Sequence, residues 1–196
     1  APADYNGNES FTITVTDGNL LDEQTISVTV NAVNDAPIAA TGLSGTTSED
    51  QSVVISLSGS DIDGDVLTFS LASDATNGSI SINGSFATYS PDTNYNGNDS
   101  FTFSVSDGEL SDETSVTLTI DAVNDAPVLA SVLDVSFDED ASGSTSLAAS
   151  DVDGDELIFN ILGGNNITAT LDGSDVTFSA PANFNGSETF TVSVSD

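Results

Sequence analysis

The chain is predicted to be all-β, a tandem array of antiparallel seven-stranded β-sandwich modules. Three observations lead there. The sequence repeats at a spacing of about 90 residues: Asn34-Asp35-Ala36-Pro37 returns as Asn124-Asp125-Ala126-Pro127, and Asp61-Ile62-Asp63-Gly64-Asp65 returns as Asp151-Val152-Asp153-Gly154-Asp155. Within each copy, short segments alternate apolar residues with Ser or Thr at period two, which puts one face on a core and the other in water. No segment carries the 3.6-residue apolar period of a helix.

The elements follow in order. Residues 1–33, where Tyr5-Asn6-Gly7 leads to Phe11, supply the last two strands of a partial repeat. The Asn-Asp-Ala-Pro segment then marks a boundary, because Pro restricts φ and pushes the preceding residue to extended geometry, giving a short, stiff linker. The complete repeat, 34–123, has alternating strands at Val53, Ile55 and Leu57, and at Leu67, Phe69 and Leu71 after the acidic loop. Ile80 and Ile82 lead into Asn83-Gly84, a type I′ hairpin signal, and Phe86 to Tyr89 return. Phe101-Thr102-Phe103-Ser104-Val105 and Val116-Thr117-Leu118-Thr119-Ile120 are the clearest strands. About seven strands in roughly 90 residues suit a sandwich of immunoglobulin-like architecture. The third repeat, 124–196, uses Asp172-Gly173 for the hairpin turn and stops at Ser195-Asp196, where its penultimate strand ends. Its last strand is missing, so that sheet is expected to have an open edge.

Composition narrows the function classes. There are 32 Asp and Glu and no Lys, Arg or His, for a formal charge of −32. Such a surface repels phosphate backbones and anionic headgroups, which excludes nucleic-acid and membrane-surface partners. Leu, Ile, Val and Phe still make up 52 of 196 residues, above the level of a disordered chain. With no Cys, His or Lys, the thiol nucleophile, the usual general bases and the soft metal ligands are gone, leaving carboxylates and hydroxyls, and no catalytic residue is assigned. No stretch reaches the roughly 20 apolar residues of a membrane span. The N-terminus has no signal-peptide pattern, so targeting segments are expected elsewhere in a longer parent.

The remaining chemistry is carboxylate chemistry. Calcium takes about six to eight oxygen ligands, and Asp-x-Asp-Gly-Asp offers three carboxylates in five residues, with Gly64 or Gly154 letting the chain curl around an ion. Two carboxylates 4 Å apart repel by about 1 kcal/mol in water and about 4 kcal/mol at an effective dielectric of 20. No basic side chain offsets that repulsion. A single Asp-Gly reads as an ordinary polar turn. The return of the whole triplet beside the same linker favours a metal loop, and its spacing is not that of an EF-hand.

Together, the Asn-Asp-Ala-Pro linkers, the Asp-x-Asp-Gly-Asp loop and the Tyr-Asn-Gly-Asn-Asp-Ser-Phe-Thr-Phe-Ser-Val-Ser-Asp-Gly run resemble the cadherin-like, immunoglobulin-like tandem repeats of giant bacterial surface adhesins, including those secreted by RTX-type machinery. The resemblance implies an extracellular array that extends an adhesive tip and supports cell adhesion or biofilm. It also implies calcium (Ca2+) between modules. Carried onto this chain, the pattern assigns Glu49, Asp99, Asp121, Asn124 by its carbonyl, Asp125, Asp151, Asp153 and Asp196 to the second junction. For the first junction it implies Glu9, Asn34, Asp35, Asp61, Asp63 and Asp107, with Asn31 standing where the second has Asp121. Asp65 and Asp155 are added by the local Asp-Gly-Asp spacing.

The expected function is a calcium-stabilised spacer whose partners are neighbouring repeats of the same parent chain. The alternative is a self-assembling extracellular fibre in which copies of the chain complete one another by β-strand addition. Sugar binding ranks low because there is no Trp and only three Tyr for stacking. Hydrolysis by a carboxylate pair ranks last, since Asp61 and Asp63 recur as Asp151 and Asp153, and a repeated pair argues for structure.

Overall fold

The computed structural model describes residues 2–196, and the chain divides into two compact units, 1–122 and 123–196. Every regular element among the described residues is a strand.

The first unit opens with a hairpin, β1 (Gly7–Thr16) and β2 (Leu21–Val30), paired only with each other over ten residues. The sandwich follows as β3 (Ile38–Ala39), β4 (Ser44–Ser48), β5 (Val53–Ser56), β6 (Gly59–Ser60), β7 (Thr68–Ser73), β8 (Gly78–Asn83), β9 (Phe86–Pro91), β10 (Gly97–Ser106) and β11 (Ser111–Asp121). Nine strands stand where seven were expected, because the first two runs are each broken in two: β3 pairs with β6, whereas β4 and β5 serve different sheets. One sheet has the order β4-β11-β10-β7 and the other β5-β9-β8. Alternation does its predicted work: Phe101, Phe103 and Val105 of β10 and Val116, Leu118 and Ile120 of β11 point into one core with Ile55, Leu57, Ala87 and Tyr89.

The hairpin turn differs from its sequence reading by one residue. Asn83 pairs with Phe86, so the central residues are Gly84 and Ser85, and only Gly84 has positive φ, at 60°. That is the type II′ pattern rather than type I′. Gly173-Ser174 repeats it between Asp172 and Asp175. The turn's Ser85 carbonyl then accepts the Leu57 amide at 2.8 Å, as Ser174 does for Leu147.

The second unit contains β12 (Val128–Leu129), β13 (Ser142–Ser146), β14 (Ala149–Ser150), β15 (Ile158–Gly163), β16 (Thr168–Asp172), β17 (Asp175–Ser179) and β18 (Phe190–Ser195). Its core is Leu147, Val176 and Phe178, with Phe178 edge-on to Phe190 at 5.1 Å between ring centroids. In the first unit β4 is held parallel to β11. Among the described residues the segment 134–138 forms no strand, and β18 pairs with β15 alone. A cavity of about 820 Å³ lies beside β18, lined by Val135, Phe137, Phe178 and Phe190 as well as Asp134, Asp138 and Glu188.

Candidate metal centre

The acidic loop follows β6 and folds around its own first residue. Asp61 Oδ1 accepts the amides of Asp63 at 2.8 Å, Gly64 at 3.0 Å and Asp65 at 3.3 Å. Gly64, at φ 82°, permits the curl. After β14 the same arrangement recurs: Asp151 Oδ1 accepts Asp153, Gly154 and Asp155 amides at 2.9, 3.1 and 3.4 Å, with Gly154 at φ 80°. This local network uses one oxygen of each leading Asp. The other, Oδ2 of Asp61 and of Asp151, is buried with no hydrogen-bond partner among the described residues. Carboxylate oxygens of Asp61, Asp63 and Asp65 lie within 4.8 Å of one another, as do those of Asp151, Asp153 and Asp155.

The Asn-Asp pair is drawn onto this loop within each unit. Asp63 Oδ2 accepts the Asp35 amide at 2.8 Å, and Asp153 Oδ2 accepts the Asp125 amide at 2.7 Å. Asn34 Nδ2 donates to Asp107 Oδ2 at 2.9 Å, and Asn124 Nδ2 donates to Asp196 Oδ2. The Asn side-chain amides are thus committed to carboxylates. Asp107 also receives the Glu109 and Leu110 amides at 2.7 Å each. The Leu110 amide first, then the Asn34 side chain, hold its carboxyl below the usual value.

The residues assigned to the upstream side are arranged differently. Glu49 is 4 % exposed, and its amide donates to the Asp121 carbonyl at 2.9 Å, which sets the Glu49 backbone beside the end of β11. Glu9, on β1, accepts the Tyr5 hydroxyl at 3.0 Å. Asp99 serves its own module: it accepts the Thr76 and Asn77 amides at 3.1 and 2.8 Å and the hydroxyl of buried Tyr89 at 3.1 Å. Burial opposes its charge, but the amides of Asn77, Thr76 and Ser100 and the Tyr89 hydroxyl outweigh it, leaving the carboxyl below its ordinary value. Burial first, then the Asp99 charge, push the Tyr89 phenol upward, so it remains a donor.

Glu188, absent from the expected ligand set, is the counterpart of Asp99 in the third repeat. It accepts the Asn165, Asn166 and Ile167 amides at 2.7 to 3.1 Å. The Ile167 amide and then the Asn166 side chain lower its carboxyl to about 2. Its signal in the sequence is position, two residues before Phe190 as Asp99 precedes Phe101 and Glu9 precedes Phe11. Tyr95 packs against the core, and its hydroxyl donates to the Asn98 carbonyl at 2.7 Å. The Phe184 counterpart keeps only the packing role open to it.

In comparisons with known proteins, the model of a bacterial Ig domain matches residues 34–120 and 124–196. No curated protein sequence matches the chain. Among solved structures, the chain is similar to human protocadherin-24 EC1-2 (18 % identity, 83 % of this chain and 94 % of that one, TM-score 0.49). It is also similar to Drosophila N-cadherin EC1-4 (13 %, 100 % and 55 %, TM-score 0.42). A third is an endo-fucoidan hydrolase of glycoside hydrolase family 107 (20 %, 98 % and 34 %, TM-score 0.40), of which the chain spans about a third of the length.

Proposed function

The chain belongs to the bacterial Ig domain family, and from that premise we propose that it is a run of extracellular spacer repeats, stiffened by calcium, in the stalk of a large surface adhesin of the RTX-secreted kind. The observation that carries the calcium reading is the buried, partnerless Oδ2 of Asp61 and of Asp151. A carboxylate oxygen removed from water without a donor is costly, and a divalent cation is the counter-charge such a group accepts. The chain has no cation of its own to supply.

Asp61, Asp63 and Asp65, with Asp35 and the Asn34 carbonyl, would hold one ion. Asp151, Asp153 and Asp155, with Asp125 and the Asn124 carbonyl, would hold another. All donors are hard oxygens, which suits calcium over softer-ligand metals. Glu9, Glu49, Asp107, Asp121 and Asp196 stay in the proposal as further contributors from module ends. Asp99 leaves it, since its carboxylate is spent on the Thr76–Asn77 loop. When bound, calcium supplies charge that cancels the repulsion within each acidic cluster. The role of the protein is to keep the ligands clustered beforehand through the Asp61 and Asp151 amide networks. No catalytic role is proposed.

The test is a calcium titration followed by small-angle scattering and melting. At 10 mM calcium and a dissociation constant of about 10⁻⁴ to 10⁻³ M, linkage stabilises the fold by about 1 to 3 kcal/mol, and the particle lengthens and stiffens. Asp151→Asn with Asp153→Asn should remove the response of the second site. Identical profiles with and without calcium would refute the reading.

A further inference from the structure

The Asn-Asp-Ala-Pro segments read in sequence as linkers, yet in both copies they are fastened to the module that follows. Asp35 and Asp125 donate their amides to Asp63 and Asp153, and Asn34 and Asn124 donate their side-chain amides to Asp107 and Asp196. Pro37 is fully buried in its module. Each fastening uses a charged acceptor, and such hydrogen bonds are about twice as strong as neutral ones. Just upstream the first copy changes character: β2 ends at Val30, and Val33 is 80 % exposed. In the second copy β11 ends at Asp121, and the division between compact units falls after Ala122.

We propose that Asn-Asp-Ala-Pro is a latch belonging to the downstream module, held closed by these hydrogen bonds without any metal. The stretch that a junction must immobilise is then shorter than the sequence linker. Asp35 and Asp125 are held in place before any ion arrives, which lowers the ordering cost of capturing one. The alternative, a linker free along its whole length until calcium binds, makes these two residues mobile in the metal-free chain. The two descriptions differ at named amides.

The experiment uses the full 15N-labelled chain in excess chelator, so its outcome is independent of the calcium reading. Asp35 and Asp125 amides should exchange at least about ten-fold more slowly than sequence-matched free peptides. Backbone order at 34–37 and 124–127 should match that of the strands, at S² of about 0.85. Asp153→Ala should speed Asp125 exchange about ten-fold or more and leave Asp35 unchanged. Asp63→Ala should do the reverse, and Asp155→Ala should affect neither. If Asp153→Ala unfolds the second unit, Asn124→Ala opens the other fastening and should lower order at 124–126. Free-peptide exchange at Asp35 and Asp125 in the unsubstituted chain, or no response to these variants, would overturn the latch. A latch that holds in a chain indifferent to calcium would sink the calcium reading alone.

Discussion

Truncating Asp99 to Ala separates a structural carboxylate from a metal ligand. In the folded protein the side chain accepts two amides of the loop before β8, the Ser100 amide at 2.8 Å and the hydroxyl of Tyr89, whose single proton is shared with the Asn77 carbonyl at 3.1 Å. A hydrogen bond to a charged group is worth about 1.5 to 3 kcal/mol net. The Thr76 amide regains water when the acceptor is removed, and Tyr89 retains Asn77, so the four contributions do not sum. A loss of about 2 to 3 kcal/mol is expected for Asp99→Ala. For a module of this size that lowers the melting temperature by roughly 10 to 20 °C. Because the folded carboxyl lies below its ordinary 3.8, the stability it supplies is present above that pH and is lost as pH falls through the folded value. The gap between variant and parent should therefore close in acid. Circular-dichroism melts at neutral and acid pH, each with calcium and with chelator, read all of this. Parent-like melting combined with a lost calcium response would refute the assignment and return Asp99 to the ligand set.

A further outcome follows from the second unit. Glu188 sits at about 2 against an ordinary 4.5, so its contribution is complete above 4.5 and declines as pH falls toward 2; acid titration of Glu188→Gln should show a flatter stability profile over that window, and an unchanged profile would show that the Asn165–Ile167 loop does not depend on the charge.

Much of the fold was legible because strand alternation is a local property. Phe101, Phe103 and Val105 repeat at every second position, and each points into the core. The broken first and second runs were not legible, since β3 and β4 separate only to meet different partners, β6 and β11. The turn type was misread because Asn83-Gly84 fits two placements of the central residues, and the β8–β9 register selects the one with Gly84 leading.

The acidic triplets, the lack of any compensating cation and the 90-residue period can all be read along the chain, because they depend on residue type and on neighbours within a few positions. Which carboxylates are already satisfied depends on folding, since the donors come from far away: Asp99 meets Asn77 across 22 residues, Asp63 meets Asp35 across 28, and Asp107 meets Asn34 across 73. One Asp is thereby spent on a loop and another on a latch, while Asp61 and Asp151 each bury an oxygen that no donor among the described residues reaches. Hydrogen-bond supply is a property of packing, and charge alone does not reveal it.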